Sequence, residues 1–117
     1  MHDIPREKWQ AFLDDVTEVL SGGHATVEVA ESEAGDQVEA IALPFAYLEY
    51  DPRDDAVIVA VGRPTSGLPV VFRHVVHHPD RVAVDAEDPA LVRSVAVHGQ
   101  RGDVTIVHLE PKAALPG

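Results

Sequence analysis

Basic side chains that can bind an anion gather in one segment of the chain, Ala56–Pro79. The segment contains no acidic residue, and it includes Arg63, Arg73, His74 and His78. Arginine offers a planar, bidentate fork to carboxylate and phosphate groups. We therefore take these four side chains as candidate ligand-binding residues, with a small anion as the ligand.

The same charges have a second interpretation, which needs no ligand. From Glu28 to Asp55 the sequence carries nine acidic residues and a single basic one, Arg53. If this acidic stretch and the basic segment form neighbouring strands, their side chains make cross-strand ion pairs, each worth well under about 1 kcal/mol. We favour this interpretation, because complementary neighbouring strands account for both charge runs.

The histidines do not form a pattern that holds a metal ion. In an extended strand, His74 and His78 lie on one face but roughly 13 Å apart. Imidazoles that share a zinc ion each need a Zn–N bond of about 2.0–2.1 Å. The sequence also contains no cysteine, and its glycines match neither the P-loop nor the dinucleotide-binding pattern. We therefore predict no metal and no cofactor.

Catalytic arrangements are equally sparse. The serines lack the G-x-S-x-G context of a nucleophile elbow, and the acidic neighbours Asp14-Asp15 and Asp54-Asp55 point to different sides of their segments. We therefore predict no catalytic residue and favour a non-catalytic interaction or accessory module. The alternative is a small protein or enzyme that binds an anionic ligand through Arg63, Arg73 and His74.

Composition limits the partners and the compartment. The 117 residues carry a formal charge of −11, which repels duplex nucleic acid and anionic membrane surfaces. The longest wholly apolar run is six residues, far below the ~18 that a membrane-spanning helix needs, and residues 1–20 lack a secretory signal. We expect a single cytoplasmic domain, 1–117, that binds neither nucleic acid nor membranes. Salt adaptation and genomic codon bias both stay open as reasons for the acidity.

The elements that must position these residues are organised around Ala56–Val61, a run that is apolar at every position. Its β-branched residues and flanking turn signals predict a strand buried on both faces, at the centre of a sheet. Residues 4–21 predict a helix, because large apolar side chains recur at steps of three and four: Trp9, Phe12, Leu13, Val16 and Leu20. This stripe is expected to pack on the sheet.

The rest of the chain predicts short strands joined by turns. We expect a β-meander over residues 24–110 and a loose tail at 111–117. Leu43-Pro44 is expected to break a strand, since proline cannot donate to a ladder. The predicted fold class is α+β, with an N-terminal amphipathic helix packed on a curved, mostly antiparallel sheet of about seven strands. A partly closed barrel is the main variant.

Residues 88–98 fit two structures. Asp88 followed by proline indicates the start of a helix, whereas the valines of this stretch prefer a strand. We favour a terminal hairpin of Leu91–His98 with Val104–Leu109.

The last strand also predicts an oligomer. Val104–Leu109 contains neither proline nor lysine, the residues that blunt an exposed sheet edge. We therefore expect a homodimer in which this edge pairs with its symmetry mate across a two-fold axis. A different protein is a further candidate partner.

Four short segments of the chain form a pattern: Ile4-Pro5-Arg6-Glu7-Lys8-Trp9, Gly35-Asp36-Gln37-Val38-Glu39-Ala40, Leu43-Pro44 and Tyr50-Asp51-Pro52. In this order and spacing, they resemble a family of small bacterial proteins known as a domain of unknown function. The similarity covers most of residues 4–109 and is strongest before Pro52. It implies a bacterial, cytoplasmic protein with one domain. Because the family carries no assigned activity, the resemblance transfers no catalytic residue.

Overall fold

The computed structural model describes residues 1–31, 35–62 and 72–112. A 3-10 turn at Arg6–Lys8 leads into the helix α1 (Trp9–Val19), and a second 3-10 turn lies at Pro89–Leu91. The eight strands are β1 (His2–Asp3), β2 (His24–Glu31), β3 (Gly35–Asp51), β4 (Ala56–Val61), β5 (Phe72–His77), β6 (Arg81–Val84), β7 (Ser94–His98) and β8 (Val104–Glu110). Within the described ranges, no helix has the length and apolar content to cross a bilayer.

All the strand pairs of the sheet are antiparallel, and the strand order is β1-β6-β7-β8-β2-β3-β4-β5. One helix packed on an antiparallel sheet confirms the predicted α+β class. The barrel variant is wrong, because the sheet ends at β1 on one side and at β5 on the other without joining them.

The predicted single meander is wrong in one respect. Strands β2 to β5 are neighbours in sequence order, and so are β6 to β8, but β8 pairs with β2 and β5 does not pair with β6. The chain thus builds two meanders and joins them through its last strand. In consequence β4 lies next to the end of the sheet instead of at its centre. All six of its residues are nevertheless buried, as predicted.

Strand β3 connects the two parts of the sheet. It runs unbroken through Leu43-Pro44, where a break was predicted, and it adapts by a positive φ of 47° at Ala42 and a register shift between Phe45 and Tyr47. Its first half pairs with β2 and its second half with β4. Pro44 lies where β3 changes its pairing from β2 to β4. Proline is tolerated there because the hydrogen-bond ladder is irregular at this junction.

The predicted apolar stripe of the helix is confirmed. The side chains that it buries in the core, with at most 2% of their surface exposed, are Trp9, Leu13, Val16 and Leu20. The α-helix itself is shorter than the predicted 4–21, because the first turn at Arg6–Lys8 is a 3-10 turn. Each large side chain buried in this way stabilises the packing of the helix by roughly 1.5–3 kcal/mol.

Thr17 fixes the helix to the second half of β3. Its hydroxyl donates to the Leu48 carbonyl at 2.7 Å and accepts from the Leu48 N–H at 3.0 Å. These two backbone groups lie on the side of β3 that has no strand neighbour once β2 has ended. One side chain therefore satisfies a piece of open sheet edge, which would otherwise leave polar groups unpaired beside the core.

The ambiguous segment forms a 3-10 turn followed by a strand. The Asp88 side chain accepts from the Ala90 N–H at 2.9 Å and caps the turn, as the helix interpretation required, but the turn ends at Leu91. Strand β7 then starts at Ser94, three residues later than predicted. The alternative of a helix over residues 88–98 is therefore wrong, and the terminal hairpin of β7 with β8 is confirmed.

The prediction that Val104–Leu109 is an exposed edge is wrong. Strand β8 pairs with β7 on one side and with β2 on the other. Its alternate residues Thr105, Val107 and Leu109 are buried against the core. Of the predicted tail, residues 111–112 are described and belong to no strand or helix, and residues 113–117 lie outside the described ranges.

Replacing Thr17 by valine should destabilise the fold without changing its shape. Valine has nearly the same volume but leaves the Leu48 N–H and carbonyl without their shared partner, a loss of about 1–3 kcal/mol in the free energy of unfolding. Urea denaturation followed by circular dichroism measures this difference. Thr17→Ser keeps the hydroxyl and serves as the control, and equal stability of all three proteins would show that Thr17 does not anchor the helix.

Candidate functional site

Two backbone positions in the left-handed region bring the turn before β4 beside the end of β5. Asp55 has a φ of 47° and His78 a φ of 51°. Both belong to the residue types that tolerate this region best after glycine. The His78 N–H donates to the Asp55 carbonyl at 2.7 Å. The side chains of the two residues therefore start from a fixed, hydrogen-bonded backbone frame.

The Asp55 carboxylate accepts from three segments of the chain. Its Oδ1 accepts from the Tyr50 hydroxyl at 2.7 Å and from Arg6 Nη1 at 3.0 Å. Its Oδ2 lies 3.2 Å from His78 Nδ1. We call the set of Arg6, Trp9, Tyr50, Asp55 and His78 the Asp55 cluster. It joins the start of the helix, the end of β3 and the turn after β5.

Two aromatic rings complete the Asp55 cluster. The guanidinium of Arg6 lies 4.3 Å from the centroid of the Trp9 ring, and its Nη2 donates to the Pro79 carbonyl at 2.8 Å. The Trp9 indole N–H donates to the Ile4 carbonyl at 2.7 Å. The Tyr50 ring meets the Trp9 ring edge to face, with centroids 5.2 Å apart. Arg6 is thus held on one side by a cation–π contact and on the other by oxygen acceptors.

The hydrogen bonds fix the charge states in the Asp55 cluster. The Tyr50 hydroxyl, as a donor, lowers the pKa of Asp55 below its ordinary value of 3.8; His78 and Arg6 act in the same direction, while partial burial opposes them. The same bond to Asp55, together with burial and the negative charge, raises the pKa of Tyr50 above 10.0. At neutral pH Asp55 is therefore an ionised acceptor and Tyr50 a neutral donor. This arrangement locks the protons in place, which suits a structural tie better than proton transfer.

The structure describes three of the four predicted ligand-binding residues. Arg63 lies outside the described ranges. Arg73 is exposed on β5, whereas His74 points to the opposite face, where its Nε2 lies 3.0 Å from the hydroxyl of the buried Thr105. His78 contacts Asp55. His74 and His78 thus have polar partners in different parts of the fold, and a shared anion site for the four residues stays a prediction.

The favoured cross-strand pairing of acidic and basic strands is wrong for β5. Strand β4 lies between β5 and the acidic part of β3, so that Arg73 faces Ala60 in the ladder and His77 faces Ala56. The acidic side chains of β3 are two strand spacings away, about 9–10 Å. Arg73 accordingly makes no ion pair within the part of the chain that the structure describes.

Sequence reasoning missed the Asp55 cluster as a unit. The sequence presents Asp55 only as a neighbour of Asp54 that points to a different side, and Tyr50 only as part of the segment Tyr50-Asp51-Pro52. The available signal was the resemblance, since the segments at residues 4–9 and 50–52 supply Arg6, Trp9 and Tyr50. Spacing along the chain contains no sign that these segments meet.

Two concave surfaces lie near the cluster. One has a volume of about 380 Å³ and is lined by Gln10, Glu49, Tyr50, Asp51, Pro52 and Arg53. The other, of about 260 Å³, is bounded by Ile4, Pro5 and Phe12 together with charged side chains. Neither contains a predicted ligand-binding residue. In residues 1–31, 35–62 and 72–112, no three histidine or acidic side chains are placed to hold a metal ion, and the absence of a bound metal stays a prediction.

The stability of the fold should depend on pH through the Asp55 cluster. Because the pKa of Asp55 is lower in the folded protein, its contribution is present above about pH 3.8 and is lost as the pH falls through the folded value. The raised pKa of Tyr50 gives a contribution that is present below pH 10.0 and lost at more alkaline pH. Urea unfolding across this range measures both limbs.

Asp55→Asn is the matched variant for this pH profile. It should lower the free energy of unfolding at pH 7 by about 1–2 kcal/mol, because a partly exposed charged acceptor is replaced by a neutral one. It should also flatten the acid limb, since the side chain no longer titrates. An acid limb as steep as that of the wild type would show that other carboxylates control acid unfolding.

Comparison with known proteins places the chain in a family. The family model described as "Family of unknown function (DUF5335)" matches residues 1–117. An uncharacterized protein of Aquifex aeolicus (strain VF5) is 31% identical over 117 residues, which cover 97% of this chain and 95% of the relative. No solved structure matches the chain. In agreement with the resemblance found in its sequence, the chain belongs to the family of unknown function DUF5335.

Proposed function

We propose that this protein is a non-catalytic interaction or accessory module that pairs strands at the edge of β5. The observation that carries the proposal is the position of β5 at one end of the sheet. Within the described residues it pairs with β4 alone, over all six of its positions. Its other side presents backbone N–H and carbonyl groups that a further strand can use.

The composition of β5 supports this role. Natural proteins blunt an open edge with proline, inward-pointing charges, lysine or very short strands. Strand β5 has no proline, glycine or lysine, its one arginine is the exposed Arg73, and its six residues are long enough for a regular ladder. At the other end of the sheet, β1 has only two residues. Of the two end strands, β5 is therefore the one suited to pairing.

The Asp55 cluster supports a non-catalytic role. Both oxygens of Asp55 contact donors from the same chain, and Tyr50 keeps its proton at neutral pH. A general base needs an acceptor that is free for the substrate's proton. In this proposal the cluster holds the turn after β5 in place and thereby fixes one end of the pairing edge.

We place the protein in the bacterial cytoplasm. The relative from Aquifex aeolicus supports a bacterial protein, and a sequence without cysteine is compatible with a reducing compartment. The charge of −11 supports the proposal that neither nucleic acid nor an anionic membrane is a partner.

Self-association through a sheet edge, which the sequence predicted for β8, is now proposed for β5. Pairing of β5 with its symmetry mate would extend the sheet across a two-fold axis. Light scattering coupled to gel filtration should show a mass that rises toward that of a dimer with protein concentration. A monomer mass up to hundreds of micromolar would contradict the homodimer but would leave pairing with another protein open.

Two neighbouring proline substitutions test the edge itself. In an antiparallel strand, successive N–H groups point to opposite sides, so that one of Val75→Pro and Val76→Pro removes an N–H from the open edge while the other removes an N–H from the ladder with β4. The variant that removes an N–H from the open edge should fold and lose self-association. The variant that removes an N–H from the ladder with β4 should lose stability. Thermal unfolding distinguishes them. Unchanged association of the folded variant would contradict pairing at β5.

Binding of a small anion is the second candidate function. The observation that favours it is Arg73, an exposed guanidinium without a carboxylate partner in the described part of this acidic protein. A thermal-shift screen with phosphate, sulfate and nucleotides should then raise the melting temperature, because a ligand that binds only the native state stabilises it by mass action. Arg73→Gln is the control, which should remove the shift. A flat screen would eliminate this function.

A further inference from the structure

The outward side of β5 is a basic surface in an acidic protein. Arg73 and His77 are exposed there, on either side of the half-buried Val75. Neither basic side chain makes a hydrogen bond or an ion pair with the described residues. We call these three residues the outward row of β5. No carboxylate among the described side chains compensates its charge, although the chain carries 20 acidic residues.

Four other arginines of the described chain are engaged by their own fold, whereas the exposed Arg101, in the turn before β8, makes no hydrogen bond or ion pair with the described residues. The carboxylates that they contact belong to Asp55 for Arg6, Asp51 for Arg53 and Asp3 for Arg81. Arg93 donates to backbone carbonyl oxygens. Arg73 differs from these four because its position on the sheet keeps acids away: its ladder neighbour on β4 is Ala60. The free charge therefore follows from the strand order, and it lies at the edge where a new strand would add.

We propose that the strand accepted by β5 is an acidic, extended segment of a partner protein. This inference rests on the proposed pairing at β5. Directly opposite residues of an antiparallel pair have Cβ atoms about 4.5–5.5 Å apart and point to the same face. An added strand would thus place alternate side chains beside Arg73 and His77. A carboxylate beside Arg73 finds an unpaired cation and one beside His77 finds an imidazole ring, while the backbone ladder supplies affinity that does not depend on sequence.

A second copy of this chain is a poorer occupant of the same edge. If β5 pairs with its symmetry mate in one continuous sheet, the outward-facing residues of the two strands lie on the same face and opposite one another. Arg73 and His77 would then lie among the same basic side chains of the mate. Like charges in neighbouring strands weaken pairing, whereas opposite charges strengthen it. An acidic segment should therefore displace the second copy from β5.

The test uses three synthetic peptides, capped at both ends and matched to the length of β5. Valine alternates with glutamate in the first, with glutamine in the second and with lysine in the third. The protein should bind the glutamate peptide about twofold to fivefold more tightly than the glutamine peptide, as expected for one exposed charge pair at Arg73, and the lysine peptide most weakly. The preference should shrink as salt screens the charges. Isothermal titration calorimetry measures all three affinities.

Variants separate this inference from the proposed function. Arg73→Gln should reduce the preference for the glutamate peptide, and Arg73→Glu should reverse it in favour of lysine. Lys112→Gln removes one positive charge outside β5 and should leave the preference unchanged. The folded proline variant at residue 75 or 76 should lose binding of every peptide.

The outcomes are distinguishable. If no peptide binds and the protein is a monomer, pairing at β5 itself is wrong, and the inference falls with it. If the three peptides bind equally, or if Arg73→Glu leaves their order unchanged, β5 pairs strands without selecting charge and only the inference is overturned. If the glutamate peptide fails to displace a second copy from the dimer, self-association is the use of this edge and the inference is likewise wrong.

Discussion

The fold depends on one strand that belongs to both parts of the sheet. The first half of β3 pairs with β2 and its second half with β4, and the irregular stretch around Pro44 lets it turn between them. The core fills the space that this turn encloses, as the contact between His74 of β5 and Thr105 of β8 indicates. Because β4 is thereby buried on both faces, its continuous apolar sequence is a requirement of its position.

The polar contacts compensate for what the turn of β3 leaves open. Beyond the end of its pairing with β2, one edge of β3 has backbone groups that need hydrogen-bond partners. Thr17 supplies them for the N–H and carbonyl of Leu48, while α1 covers the core. Near the end of the same strand, Asp55 accepts from both Tyr50 and Arg6 and so ties the start of the helix to the sheet. The helix is held at both ends by hydrogen bonds to β3 or to the turn that follows it. Its apolar stripe then needs only to fill the core.

Local pattern was sufficient for the elements but not for their arrangement. The two-sided burial of Ala56–Val61 and the stripe containing Trp9 could be predicted because each follows from its own run of residues. The pairing of β8 with β2 could not be predicted, because an interior strand and an apolar edge strand have the same kind of sequence. The Asp55 cluster failed for the same reason: its members are up to 72 positions apart (from residue 6 to 78) and meet only through the strand order.

The same strand order explains why the predicted pairing of acidic and basic strands fails for β5, although His78 of the basic segment contacts Asp55 of the acidic stretch. Acidic and basic strands were expected to neutralise each other as neighbours, but β4 lies between them with the small side chains Ala56 and Ala60. Apolar spacing of this kind keeps Arg73 and His77 beyond contact with the acids of β3. A protein that only needed stability would gain little from such separation, since exposed pairs contribute so weakly. Under the proposed strand pairing its physical consequence lies in recognition: the charge at Arg73 is opposite in sign to that of the whole molecule and would favour an acidic segment as the strand added at β5.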